Sequence, residues 1–177
     1  LDQSVQSDVF HLYSLSRETI YGSALINYFV TGAPVSEWRI AVPESLGNVI
    51  VDGQDIRTWR REDDTLLVSL HQPVMGPYTL LVTFEEKPDK DRGSFQAGLI
   101  APIGVQGQRG YIQVVSPMQV EINTVSISDD MLKLDVGESY TFDVEITSDQ
   151  EFTIAAAMTG AYYPGRGIFW HGRDGAN

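Results

Sequence analysis

The residues best suited to chemistry are three histidines, two acidic runs, one arginine cluster and an aromatic stretch near the end of the chain. His11, His71 and His171 lie far apart in sequence. None forms the helical pair with a glutamate that hydrolytic zinc sites use. A metal site would have to draw all three from remote strands, and we expect none. Asp89, Asp91 and Gly93 resemble the opening of a calcium loop, but Ile100 stands where the bidentate glutamate belongs. The stretch reads as a solvated turn. Asp129, Asp130 and Asp135 could share a cation, yet paired acids in turns are ordinary on a surface this acidic.

Nucleophilic chemistry has little to stand on. With no cysteine there is no thiolate nucleophile, no thiolate zinc site and no disulfide framework. The G-x-S-x-G elbow of serine hydrolases is absent, as is a dinucleotide fingerprint. Gly104 to Gly110, GVQGQRG, is glycine-rich, but it lacks the lysine and the strand-then-helix setting that bring backbone amides onto a phosphate. It reads as a long loop. No catalytic residue and no cofactor are expected.

Two stretches suit binding. Arg57, Trp59 and Arg61 share one face of a strand, so indole and guanidinium can stack and the face can receive an acidic partner. The following Glu62, Asp63 and Asp64 offer a simpler partner across a turn. In the tail AYYPGRGIFWHGRDGAN, Tyr162, Tyr163, Phe169 and Trp170 are flat apolar surfaces beside Arg166, His171, Arg173 and Asp174. Rings against C–H faces with directed hydrogen bonds beside them suit a sugar, with Tyr162, Tyr163, Trp170 and Arg173 as its ligand-binding residues. The same aromatics also suit a core cap or packing against further chain.

The elements that must position these residues are strands. The chain has 177 residues, of which 42% are hydrophobic and 10% aromatic. That is too apolar for disorder and enough for one domain or two small ones. No run approaches the ~18 apolar residues of a membrane-spanning helix. A net charge of -12 repels phosphate backbones and anionic membrane surfaces, so neither nucleic acid nor membrane insertion is expected.

Hydrophobic periodicity is two throughout. Ile20, Gly22, Ala24, Ile26, Tyr28 and Val30 alternate with Tyr21, Ser23, Leu25, Asn27 and Phe29, and Trp38, Ile40 and Val42 alternate with charges until Pro43. Asp52-Gly53 signals a type I′ hairpin, Glu62-Asp63-Asp64 a second turn and Gly76-Pro77 a third, before Tyr78, Leu80, Val82 and Phe84. Residues 87–94 read as a charged connector. Strands resume over 97–101, 110–116 and 118–123, then in a hairpin over 140–156. Residues 11–19 suit a short helix or an irregular lead-in equally. Short strands every ~8–12 residues predict an all-β protein, an antiparallel β-sandwich or two small sandwiches in tandem. A β-sandwich domain over 1–124 would be followed by a second β-rich segment over 125–177. Its core should include Ile26, Trp38, Ile40, Leu66, Val68, Leu80, Val82, Val114, Val120 and Phe142.

The stretch from Ile20 to Phe84 resembles the noncatalytic N-terminal β-sandwich of the zinc aminopeptidase N family. The likeness lies in the order YGSALINYFV, VIVDGQDI and TLLVSLHQPVMGPYTLLVTFEE. That family's HExxH helix and GAMEN-type loop do not occur here, so no catalytic residue carries over. The same order is similar to accessory sandwich domains of large exported bacterial proteins, and GESYTFDVEITSDQEFTIAAAMTG is similar to adhesive extracellular domains. These resemblances imply a noncatalytic β module, secreted or in the cell envelope. Leu1 and Asn177 both read as cut ends, so the expectation is a structural or protein-interaction module of a larger bacterial protein, its partners being neighbouring domains or another protein. The alternatives are a carbohydrate-binding module and an accessory domain of a peptidase.

Overall fold

The structure, a computed structural model, describes residues 2–16, 18–88, 94–115, 122–124, 131–132, 152–154 and 167–172. These residues are all-β, with no helix among them. The longer strands are β1 (Ser4–Leu15), β2 (Ile20–Ala41), β3 (Gly47–Gly53), β4 (Ile56–Glu62), β5 (Thr65–Glu86), β8 (Gly107–Val115) and β12 (Gly167–Gly172). Short pieces are β6 (Ser94–Phe95), β7 (Ala101–Pro102), β9 (Ile122–Thr124), β10 (Met131–Leu132) and β11 (Phe152–Ile154). The main sheet runs β10-β12-β8-β1-β2-β5-β3, with β4 added to β5 and β7 to β2. Its pairs are antiparallel except β1 with β8. A small sheet β6-β11-β9 is parallel.

β2 and β5 organise everything else. Each is 22 residues long and would reach roughly 70 Å if straight. Instead both bend together. Their register breaks between Val30 and Val35 and again before Glu37, next to Gly32 at φ 84° and opposite Gly76 at φ 75°. Only glycine takes such angles cheaply. A Cβ on Gly32 would also strike the Asp2 carbonyl, and Gln3 Nε2 donates to Pro34 O at 2.7 Å. The N-terminal residues thus pin the bend.

The outcome is a β-sandwich. One layer is β8, β1, β3 and the halves of β2 and β5 over 20–30 and 76–86; the other is β4, β7 and the halves over 35–41 and 65–74. Trp38 stacks on Tyr28 with ring centroids 3.8 Å apart and planes 10° from parallel. Ten residues along a straight strand would separate them by roughly 33 Å, so the second half of β2 has folded over the first. Tyr78, the cross-strand partner of Tyr28, tilts against the same indole at 5.5 Å.

The alternation read from the sequence is met along β2, where Ile20, Gly22, Ala24, Ile26, Tyr28 and Val30 are buried. Of the expected core, Ile26, Trp38, Ile40, Leu66, Val68, Leu80, Val82 and Val114 are buried. Val120 and Phe142 lie outside the described residues.

Several local expectations are corrected. β3 and β4 do not form a hairpin at Asp52-Gly53. The turn is at Gln54-Asp55, with Asp55 at φ 54°, and the two strands pair with opposite halves of β5. Gly53 is required for a different reason: a Cβ there would sit 2.7 Å from Tyr78 Oη, which donates to Gln54 O at 2.7 Å. Gly76-Pro77 is a bend inside β5 rather than a turn between strands. Gly107–Gly110 opens β8 instead of continuing a loop, and of 97–101 only Ala101 is in a strand. Of residues 11–19, 11–15 are strand, while 16, 18 and 19 are the irregular lead-in to β2. The Glu62–Asp64 turn stands, with Asp63 at φ 53° and Asp64 accepting from the backbone N–H groups of Val42 and Glu44.

Burial of the indole between the layers predicts a sharp contrast between two tryptophans. Trp38→Ala should lower unfolding free energy by about 3–5 kcal/mol in urea titrations. Trp59→Ala, at a site 38% exposed, should cost under about 1 kcal/mol. Equal losses would contradict the packing described.

Candidate functional site

The layer built on β1 has two unlike faces. Its inner face is core. Its outer face exposes Phe10, Leu12, Tyr21, Leu25, Phe29 and Ile50, at relative exposures from 36% to 60%. Register makes them a patch rather than a scatter: Phe10 lies opposite Leu25, and Leu25 opposite Leu81. Leu12, Ser23, Thr83 and Ile50 form the adjacent row. The cause is local sequence, since both β1 and this half of β2 carry apolar side chains at even and odd positions alike. Contiguous exposed apolar area of this kind marks interaction surfaces.

Beside it, towards the bend, a shallow trough of about 640 Å³ crosses four strands. Its floor is the row Arg109, Asp8, Asn27 and Thr79, which are successive register partners across β8, β1, β2 and β5. Arg109 grips Asp8 with a fork, Nε to Oδ1 at 3.0 Å and Nη2 to Oδ2 at 3.3 Å. Thr79 Oγ1 donates to Asn27 Oδ1 at 2.9 Å. Gln6, Phe29 and Pro77 close the side nearest the bend.

A buried polar cluster lies on the inner side. His11, Tyr13 and Glu86 hold the segment 95–100 by its backbone: Ile100 N donates to His11 Nε2 at 3.1 Å, Gly98 N donates to Tyr13 Oη at 2.8 Å, and Gln96 N–H serves the Glu86 carboxylate. Side chains thus do the work of a ladder for alternate residues of an irregular segment. Gly22 makes room for this. It lies between Tyr13 and Phe84 in register, and a Cβ there would run into the Phe84 ring. Its absence lets the two rings meet edge to face at 5.9 Å. Burial pulls the His11 pKa down to about 4 and pushes the Glu86 carboxyl up to about 7, partly offset at Glu86 by the Gln96 N–H. It raises the Tyr13 hydroxyl as well.

The described residues among those singled out in the sequence lie on different strands. His11 is a buried acceptor, whereas the His71 side chain is exposed and it is the backbone N–H that donates to Asp55 O. His171 is on β12, opposite Tyr111. Among the described residues no three His, Cys, Asp or Glu side chains form a metal-holding group. On β4, Arg60 pairs with Glu62 at 2.8 Å, and Arg61 donates to the carbonyls of Leu46 and Pro43, at 2.9 Å each. The cluster therefore binds its own turn and loop in good part. Trp170 lies on β12 opposite Ile112. Tyr162, Tyr163 and Arg173 fall outside the described residues, as do Asp89, Asp91, Gly93, Asp129, Asp130 and Asp135. Neither the trough nor the apolar patch was among the sequence expectations.

No protein-family model matches the chain, and no curated protein matches it significantly. Solved structures do. A substrate-bound variant of the M1 zinc metallopeptidase of Deinococcus radiodurans is similar at 14% identity and TM-score 0.48, over 82% of this chain and 37% of that one. Another structure of the same peptidase gives 16% and 0.42 over the same shares. Yeast LTA4 hydrolase with bestatin gives 14% and 0.37, over 66% of this chain and 23% of that one. These peptidases are of the kind that the strand order from Ile20 to Phe84 resembles. The chain spans no more than 37% of their lengths, and their activities belong to the whole proteins.

The buried cluster predicts two opposed pH dependences. The unfolded chain takes up a proton at His11 between its ordinary value of 6.5 and about 4, so this residue's contribution to stability falls as pH drops through that window. Between 4.5 and about 7 folded Glu86 holds a proton that the unfolded chain releases, so its contribution falls as pH rises. The two largely cancel where they overlap. Glu86→Gln should expose a loss of stability on acidification from about pH 6.5, and His11→Gln a loss on going from about pH 4.5 to 7, both read by urea unfolding across pH. Variants with unaltered profiles would refute the assignment.

Proposed function

We propose that this chain is a noncatalytic β-sandwich module that works by docking a neighbouring domain of a larger protein against its outer sheet face. The observation that supports this most is the contiguous row of exposed Phe10 and Leu25 with half-buried Leu81, flanked by exposed Leu12, Tyr21 and Ile50. Leaving such a patch in water forgoes about 25 cal/mol for each Å² that a partner would cover. The side chains that chemistry would most readily use are committed to structure: His11, Tyr13 and Glu86 hold a backbone segment, and Arg61 a loop.

The setting we propose is a secreted or cell-envelope protein, a reading supported by the resemblance to exported accessory domains. A parent built like the aminopeptidase N family would carry its metal-binding catalytic domain beyond Asn177, with this module beside it. The parent reading frame decides between that form and a spacer or adhesion protein.

Covalent side-chain footprinting tests the docking. Phe10 and Tyr21 should label several-fold less in the parent protein than in the isolated 177-residue chain, and Leu25→Asp in the parent should restore the labelling without unfolding the sandwich. Equal labelling of both proteins would reject the proposal.

A further inference from the structure

We propose that the trough crossing β8, β1, β2 and β5 binds a short neutral oligosaccharide. Its volume of about 640 Å³ lies within the ~300–1,000 Å³ of small-molecule pockets. The lining selects the chemistry. Asp8 and Arg109 neutralise one another through the fork, so the trough favours neither a phosphate nor a cation. The rest of its polar lining is amide and hydroxyl, from Gln6, Asn27 and Thr79 among others. Thr79 occupies the Asn27 carbonyl oxygen, which aligns the amide and leaves its two N–H donors for a ligand. Closely spaced donors and acceptors with no net charge match vicinal hydroxyl groups.

At the bend side Phe29, 52% exposed, supplies a ring for the C–H face of a pyranose, with Pro77 opposite it in register. A peptide is the other neutral polar chain to weigh here, but peptides usually gain affinity by adding to an open sheet edge. Ser7 and Tyr28, in the middle of the trough, already have strands paired on both sides. Only side chains are offered, which suits hydroxyls and not a backbone. The trough lies next to the apolar patch, so a docked neighbour would stand at its rim. Sugar binding does not depend on that docking.

The test uses the 177-residue chain, nitrogen-15 labelled, titrated with maltotriose, cellotriose, chitotriose, mannotriose and xylotriose. At least one should shift the amide signals of residues 6–8, 27–29 and 77–79 together. Phe29→Ala and Asn27→Ala, both at exposed positions, should each weaken that binding about tenfold or more, with the thermal midpoint unchanged. No shift with any of the five at 10 mM would overturn the proposal. So would a binder whose shifts lie elsewhere, or one that is indifferent to both variants.

Discussion

Three rings decide the shape of this protein. Tyr28 and Tyr78 face each other across the β2–β5 ladder, and Trp38 lies on them from the opposite layer. Without that contact two 22-residue strands would form a long open ribbon with one apolar side in water. With it the ribbon doubles over. β4 and β7 then attach to the folded-over half, while β1, β3 and β8 attach to the first. The bend is set by backbone freedom at Gly32 and Gly76, and the stack gives it a direction. Polarity marks the site: Tyr28 Oη and Trp38 Nε1 are buried without a hydrogen-bond partner among the described residues. Ring contact and apolar burial must offset that desolvation.

A second constraint follows from irregular backbone at the edge of the core. Segment 95–100 packs Phe95 against Tyr13 but has almost no ladder of its own. Three side chains from β1 and β5 receive its N–H groups instead. Burying such acceptors is costly unless they are used, which explains why a histidine sits in an otherwise apolar interior. It also explains why the two faces of the β1 layer differ. The inner one turns His11, Tyr13 and Glu86 onto the fold, and the outer one leaves apolar and polar groups alike exposed.

The first half of β2 was legible in the sequence because its inward positions are all apolar or glycine. β1 was not. Ser7 and His11 occupy inward positions while Phe10 and Leu12 point out, so the alternation is inverted at the points where a reader relies on it. Asp52-Gly53 signalled a turn, but Gly53 is needed for the approach of the Tyr78 hydroxyl, and the turn falls two residues later. Gly76-Pro77 looked like a turn between strands because a bend and a turn use the same residues. Parallel pairing of β1 with β8 joins segments about a hundred residues apart, and local alternation says nothing of pairing. The trough was invisible for the same reason. Gln6, Asp8, Asn27, Thr79 and Arg109 are outward polar residues scattered over four strands, and only register gathers them.

The doubled-over ribbon is the claim on which sandwich, patch and trough all rest. It is tested most directly by proton NMR of the intact chain with assigned aromatic rings. Nuclear Overhauser contacts between the Trp38 indole and the Tyr28 ring, with upfield ring-current shifts on both, are the predicted result. A Trp38 indole that contacts only its own cross-strand neighbour Val68 and shows no such shift would contradict the account.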